Sequence, residues 1–287
     1  MSEFLTHEDV ATFDGVILDC RFDLADAESG RRQFEAKHIP GAYHIDLERH
    51  LSASTQRPVQ DPTAVLSGIY AGRHPLPTPS QFLNTLASFG IGPSTNVLLY
   101  DDSRFAFAAR CWWMMTSIGY QRPKLLDGGF KAWCKAGFPC EQGASTPTPL
   151  PVAAEGLPEL QSWSGCCDRV EMLERVASGS LLVDSRDPQR YRGEFEPIDP
   201  VAGHIPGALN QPWQAFTNDK GYRRSTSELV DQWESLADQD EAVVYCGSGV
   251  TACVNVLSRE LAGKPRPILY AGSWSDWCSH LDSDEQS

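Results

Sequence analysis

Val243-Val244-Tyr245-Cys246-Gly247-Ser248-Gly249-Val250-Thr251-Ala252 is the stretch from which the fold can be read. Its β-branched and aromatic opening has the pattern of a buried strand. A cysteine follows at once, then two glycines, then a helix-compatible run from Thr251 to Leu261. In a strand, glycine-rich loop and helix, backbone N–H groups converge on one point. A cysteine at the strand end puts its sulfur there, where the loop amides and the helix N-terminus favour negative charge. Cys246 is therefore the candidate nucleophile, as a thiolate. A core cysteine is the plain alternative, and two glycines directly behind it fit that alternative poorly.

Outward from this stretch, four segments recur in the same order. Leu18-Asp19-Cys20-Arg21 returns as Val183-Asp184-Ser185-Arg186, and His38-Ile39-Pro40-Gly41-Ala42 as His204-Ile205-Pro206-Gly207-Ala208. Val97-Leu98-Leu99-Tyr100-Asp101 returns as Ala242-Val243-Val244-Tyr245-Cys246, and Gly128-Gly129-Phe130-Lys131-Ala132-Trp133 as Gly272-Ser273-Trp274-Ser275-Asp276-Trp277. The offset drifts from 166 to 144 residues, so the chain is a duplicated domain rather than a short-period solenoid. The proline-rich run Gly143-Ala144-Ser145-Thr146-Pro147-Thr148-Pro149-Leu150-Pro151 lies between the halves and should be extended and semi-rigid. The expected division is a first domain over 1–142, a linker over 143–159 and a second domain over 160–287. Each half alternates short apolar strands (16–19, 97–100, 181–184, 243–245) with helical patterns (79–89, 166–177, 227–237, 251–262). This alternation predicts an α/β fold, a parallel sheet flanked by helices in each half. In such sheets, sites form at the carboxyl ends of strands, where Cys246 sits.

The net charge of −14 argues against nucleic acid or an anionic membrane as partner. It also requires local arginines to reverse the field if the substrate is an anion. No apolar segment is long enough to span a membrane. The polar, acidic stretch from Met1 to Val10 lacks the plan of a signal peptide. The nine cysteines are scattered without metal-ligand spacing, Cys166-Cys167 being adjacent. A reducing cytoplasm is the expected compartment, and no metal is expected.

The two Asp-x-Arg strand ends, the two His-Ile-Pro-Gly-Ala segments, the Gly-Ser-Trp-x-x-Trp segment and the cysteine loop together resemble the rhodanese-like sulfurtransferases in their tandem two-domain form. The resemblance covers nearly the whole chain. The loop Cys246-Gly247-Ser248-Gly249-Val250-Thr251 is similar to that of the 3-mercaptopyruvate-using branch, whereas the thiosulfate-using branch typically carries Arg-Lys after the cysteine. The resemblance implies covalent sulfur transfer without metal or organic cofactor. Cys246 takes the outer sulfur of a small-molecule donor as a persulfide. Cyanide, a small thiol or a thioredoxin-like protein then removes it. Gly247, Gly249, Val250 and Thr251 supply the loop that cradles the sulfur. A thiosulfate donor is the alternative. A Cys-dependent phosphatase would need an arginine closing the loop, where Thr251-Ala252 stand. A non-catalytic module would have no need of the cysteine.

The resemblance also implies roles for side chains outside the loop. Arg190 matches the family's substrate arginine, suited to a carboxylate. A second arginine is expected nine residues on, where Asp199 stands instead. Arg192 is then either a substitute or a solvated surface charge. His74 matches a histidine that reaches the site from the first domain and forms a proton relay with the loop serine, Ser248, and an acidic residue. Glu48 occupies the acidic position, with Asp46 as a neighbour, and an ordinary loop histidine is the alternative for His74. Asp101 stands where the first half would carry its cysteine, so that half is expected to be catalytically silent. The Asp19/Arg21 and Asp184/Arg186 pairs, His38 and His204 are expected to be scaffold. Trp112, Trp113, Trp274 and Trp277 are expected to be packing residues, and Cys253 to be buried.

Overall fold

The short apolar runs become two parallel five-stranded sheets, one in each repeat. The computed structural model describes residues 3–53, 72–150, 162–237 and 239–281. The first sheet is built from β1 (Phe4–Leu5), β2 (Val16–Asp19), β3 (Ala42–His44), β4 (Val97–Tyr100) and β5 (Lys124–Leu126), in the spatial order β1-β5-β4-β2-β3. The second uses β6 (Cys166–Cys167), β7 (Leu181–Asp184), β8 (Leu209–Asn210), β9 (Ala242–Tyr245) and β10 (Ile268–Tyr270), in the order β6-β10-β9-β7-β8. Register is repeated as well: Asp19 pairs with Tyr100 on β2 and β4, and Asp184 with Tyr245 on β7 and β9. Strands β4, β7 and β9 are buried along their whole length, as expected of strands covered on both faces.

The helices of the first unit are α1 (His7–Val10), α2 (Ser29–Ala36), α3 (Pro79–Ser88), α4 (Ala108–Ser117) and α5 (Gly129–Lys135). Those of the second are α6 (Arg169–Ala177), α7 (Pro188–Tyr191), α8 (Thr226–Leu236), α9 (Ala252–Leu261) and α10 (Ser273–Cys278). One boundary differs from expectation. Cys166 and Cys167 do not open a helix but form the edge strand β6 against Leu269 and Tyr270. The helix starts later because Asp168 caps it, in a reciprocal box with Glu171.

By contact, one unit comprises residues 3–53, 77–150, 162–164 and 217–223, and the other 72–76, 165–216, 224–237 and 239–281. The short segment 72–76 thus groups with the second repeat, although it precedes the linker. The described part of the linker, 143–150, has no regular secondary structure and groups with the first unit, tied by hydrogen bonds from Gly143 N–H to the Glu35 carbonyl (2.7 Å) and from Leu150 N–H to the Ala87 carbonyl (2.9 Å). Residues 151–159 of the expected linker lie outside the described residues.

The duplication extends to individual hydrogen bonds. Arg21 donates to Asp19 and to the Lys37 carbonyl; Arg186 does the same to Asp184 and the Gly203 carbonyl. Tyr100 accepts from Ile39 N–H and Tyr245 from Ile205 N–H. The Arg21 guanidinium lies over Phe130, and that of Arg186 over Trp274. These arginines are buried with their carboxylates, so they are scaffold. His38 and His204 each place Nδ1 on a carbonyl oxygen, that of Phe34 (2.7 Å) and Tyr191 (2.8 Å). Trp112, Trp113, Trp274 and Trp277 are core residues.

Candidate active site

Tyr245 ends β9, and the chain turns at Cys246 because the start of α10 holds it. Cys246 N–H donates to Ser273 Oγ (3.1 Å), and its carbonyl accepts from Trp274 N–H (3.0 Å). The Gly247 carbonyl accepts from Ser275 N–H (2.9 Å). Ser273 itself has a left-handed backbone (φ 56°), at the place where the first repeat uses Gly129 (φ 65°). Its hydroxyl donates onward to the Tyr270 carbonyl (2.9 Å). Cys246 is only 2% exposed, with the fully buried helix start Ala252–Cys253 following in the chain. Cys253 is buried as expected, its thiol 3.4 Å from the Gly249 carbonyl.

Gly249 is required by geometry. Its φ is 73°, and a Cβ there would lie 2.2 Å from the Ala271 carbonyl oxygen. Gly249→Ala must therefore shift the loop against β10's exit. Displacements of this size next to a reacting atom cost about 10²-fold in rate. We expect that loss in kcat, with an unchanged near-UV circular dichroism spectrum; a fully active variant would contradict it.

Ser248 and His74 meet. His74 Nδ1 lies 2.9 Å from Ser248 Oγ, and both side chains are buried. Two residues before His74, Gly72 has φ 107°, and a Cβ there would strike the Gly272 carbonyl at 2.6 Å and Ser275 Oγ at 2.9 Å. Glycine lets the backbone lie against the start of α10, and Arg73 N–H then bonds Ser275 Oγ (3.2 Å).

The same approach delivers Arg73, which the sequence reading did not single out. A Cβ on Gly247 would lie 2.8 Å from Arg73 Nη2 and 3.5 Å from both Arg190 Nη atoms. Two guanidiniums therefore hang over the residue next to Cys246. Arg190 Nε and Nη2 grip Glu196 (3.0 and 2.7 Å), and Nη2 reaches Asp199 at 3.2 Å. Arg73 Nη1 bonds the other Asp199 oxygen. Asp199, at the position of the expected second arginine, is thus the bridge between two arginines. Arg192 does not fill that place: it pairs with Glu194 on the surface. Burial pushes the Asp199 carboxyl up, against the pull of Arg73 and Arg190. Burial also acts to raise Glu196, but Arg190 and the Asp199 amide outweigh it and its carboxyl lies below the ordinary value. The signal for Arg73 was its place beside His74 in Gly72-Arg73-His74.

The first repeat offers a contrast. Asp101, after β4, accepts four backbone N–H bonds: from Ser103 and Phe105 on Oδ1 (2.9 and 3.0 Å), and from Phe107 and Ala108 on Oδ2 (3.0 Å each). The loop that would cradle a sulfur anion there cradles its own carboxylate. Among the described residues, no carboxylate takes the amides of loop 247–251. Glu48 lies in the first unit, exposed after β3, its N–H bonded to Asp46 (2.9 Å). Val250 is buried, and Thr251 stands at the N-cap position of α9 without a capping bond.

Comparison with known proteins agrees with this architecture. The rhodanese-like domain family matches residues 5–136 and 168–280. The chain is 41% identical over 269 residues to a probable 3-mercaptopyruvate sulfurtransferase of Pseudomonas aeruginosa, covering 92% of this chain and 89% of that one. It is 35% identical over 267 residues to a putative thiosulfate sulfurtransferase of Mycobacterium tuberculosis, covering 92% and 87%. Among solved structures it is similar to a 3-mercaptopyruvate sulfurtransferase from Leishmania major, with a TM-score of 0.81 and 29% identity over 98% of this chain and 75% of that chain. With the family matched in each half of the chain, the chain belongs to the rhodanese-like domain family and carries that domain twice.

Proposed function

We propose that this protein is a sulfurtransferase that takes sulfur from 3-mercaptopyruvate onto Cys246 and passes it to a thiophilic acceptor. The observation that carries this reading is the pair of guanidiniums, Arg73 and Arg190, over Gly247, beside a cysteine loop that has no cation of its own. Two guanidiniums suit one carboxylate, bound through two or more parallel N–H bonds. With the carboxylate held there, the donor's sulfur lies toward Cys246.

In the first step the Cys246 thiolate attacks the donor's sulfur. An S–S bond forms, the C–S bond breaks, and its electron pair stays on carbon as the enolate of pyruvate. The enolate takes a proton and leaves as pyruvate; the Ser248 hydroxyl, bonded to His74, is the proposed relay for that proton. In the second step cyanide, a small thiol or a thioredoxin-like protein attacks the outer sulfur and releases Cys246 as thiolate. The loop amides at 247–251 and the N-terminus of α9 favour the anion in both the thiolate and the persulfide. Glu48 holds the acidic position of the resemblance, and Glu48→Gln is expected to lower kcat at constant KM.

The test is steady-state kinetics with 3-mercaptopyruvate and thiosulfate side by side, each with cyanide. The expected result is a higher kcat/KM for 3-mercaptopyruvate. A charged hydrogen bond typically contributes ~1.5–3 kcal/mol, and ~1.4 kcal/mol is already tenfold. Arg190→Ala and Arg73→Ala should each lower kcat/KM for 3-mercaptopyruvate at least tenfold. More efficient use of thiosulfate by the unaltered protein would make thiosulfate the donor, the reading that relatives bearing that name also allow.

A further inference from the structure

Asp199 has an arrangement that an ordinary brace does not need. Its two oxygens are divided between two guanidiniums, one on Arg73 Nη1 and the other on Arg190 Nη2 at 3.2 Å. This is the mode in which a bound donor carboxylate would bridge the same pair. Glu196 differs: it grips Arg190 at Nε and Nη2 (3.0 and 2.7 Å), and Arg186 Nη1 at 3.3 Å. It also accepts the backbone amides of Ile198 and Asp199 (3.1 Å each). Glu196 is thus built into the scaffold and fixes Arg190 from behind. The Asp199 contact is the longest of the three that Arg190 makes with these two carboxylates. The Arg73 side chain is 30% exposed, so water or an incoming anion can reach it.

Charge counting leads the same way. Arg73 and Arg190 carry two positive charges; Glu196 and Asp199 carry two negative ones. Arg186 and Asp184 cancel each other. The cluster is neutral as it stands, and a donor carboxylate entering it finds both guanidiniums already occupied.

We propose that Asp199 is an internal competitor for the donor's carboxylate, occupying Arg73 and Arg190 in the free protein and yielding them when the donor binds. The inference rests on the carboxylate-clamp reading above. A site that is open only part of the time binds more weakly by the open fraction. Asp199 therefore raises KM, and it selects for donors whose carboxylate can displace it.

The experiment compares full-length Asp199→Asn, Glu196→Gln and Arg190→Ala in steady-state turnover of 3-mercaptopyruvate, with pyruvate as a sulfur-free carboxylate probe of the same site. Asn keeps the shape of Asp199 and removes its charge. The expected result for Asp199→Asn is a KM lower by about threefold or more, with kcat retained and tighter inhibition by pyruvate. Glu196→Gln should do the opposite and raise KM, since it loosens Arg190. If KM in Asp199→Asn is unchanged or higher while Arg190→Ala still costs tenfold or more, Asp199 is a brace; the competitor is refuted and the clamp stands. If Arg190→Ala leaves kcat/KM unchanged, the clamp itself fails and takes the competitor with it.

Discussion

Cys246→Ser is expected to abolish sulfur transfer, with a fall in kcat of about 10³-fold or more, as for removal of a nucleophile that acts as part of a unit. Serine fits the site, because Cys246 is held through its backbone, by Ser273, Trp274 and the end of β9, and not through its thiol. The fold should therefore survive and the chemistry should not. A hydroxyl has neither the acidity nor the polarisability of a thiol, and this loop supplies no base in contact with Sγ among the described residues. The chain's other eight cysteines make the control strict. Cys20, Cys111, Cys167, Cys253 and Cys278 are buried, while Cys134, Cys140 and Cys166 are half-buried. Incubation with donor should add the mass of one sulfur atom to the unaltered protein, on the peptide bearing Cys246, and none to the variant. Turnover by the variant, or a sulfur carried on another cysteine at a catalytic rate, would remove Cys246 from the mechanism.

The second large effect concerns stability and lies in the other repeat. Asp101→Asn should destabilise the protein by about 3–5 kcal/mol, because buried donors left facing a wrong partner cost about 1–3 kcal/mol each before relaxation. The native carboxylate offers two oxygens, and each accepts two backbone N–H groups. An amide offers one. Its NH2 group would face two further donors, either Ser103 and Phe105 or Phe107 and Ala108. Burial pushes the Asp101 carboxyl up, while the four amides favour its charged form, so hydrogen bonding is the favourable side of a costly burial. The loop also holds Arg104 and Phe105 at positive φ (58° and 70°), a conformation that costs energy in non-glycine residues and that this carboxylate supports. For a unit of this size the loss corresponds to a fall of roughly 10 °C in Tm. Differential scanning calorimetry of the full chain decides it. An unchanged transition would mean that the amide network is dispensable. Kinetics should respond less than stability, since Asp101 has no proposed part in the reaction.

The sequence alone carried the parts of this protein that are written locally. Strand, glycine loop and helix around Cys246 follow from residue types over a dozen positions, because β-branched runs, positive-φ glycines and helix periodicity are each short-range properties. The duplication followed from order, and the two strand-end networks show why it persists: Asp19, Arg21 and Tyr100 solve the same burial problem as Asp184, Arg186 and Tyr245. The equivalence of Asp101 with Cys246 was legible for the same reason. Cys166 was misread as helical because an edge strand of two residues has no periodicity; its pairing with Leu269 is a property of the sheet.

What surrounds the cysteine was decided by tertiary structure. Arg73 and Asp199 are 126 positions apart, and His74 and Ser248 are 174 apart. No spacing rule connects such residues, since their meeting depends on where Gly72 lets the backbone lie against α10. Asp199 looked in sequence like the loss of a binding arginine. In the structure a guanidinium, that of Arg73, comes from another segment, and the aspartate bridges it to Arg190. Arg192, near in sequence to Arg190, points into a surface pair with Glu194 because the turn after α7 carries it outward. The cysteine loop is a local fact of one segment, whereas charge at its side is a sum over distant segments, and only packing brings those segments together.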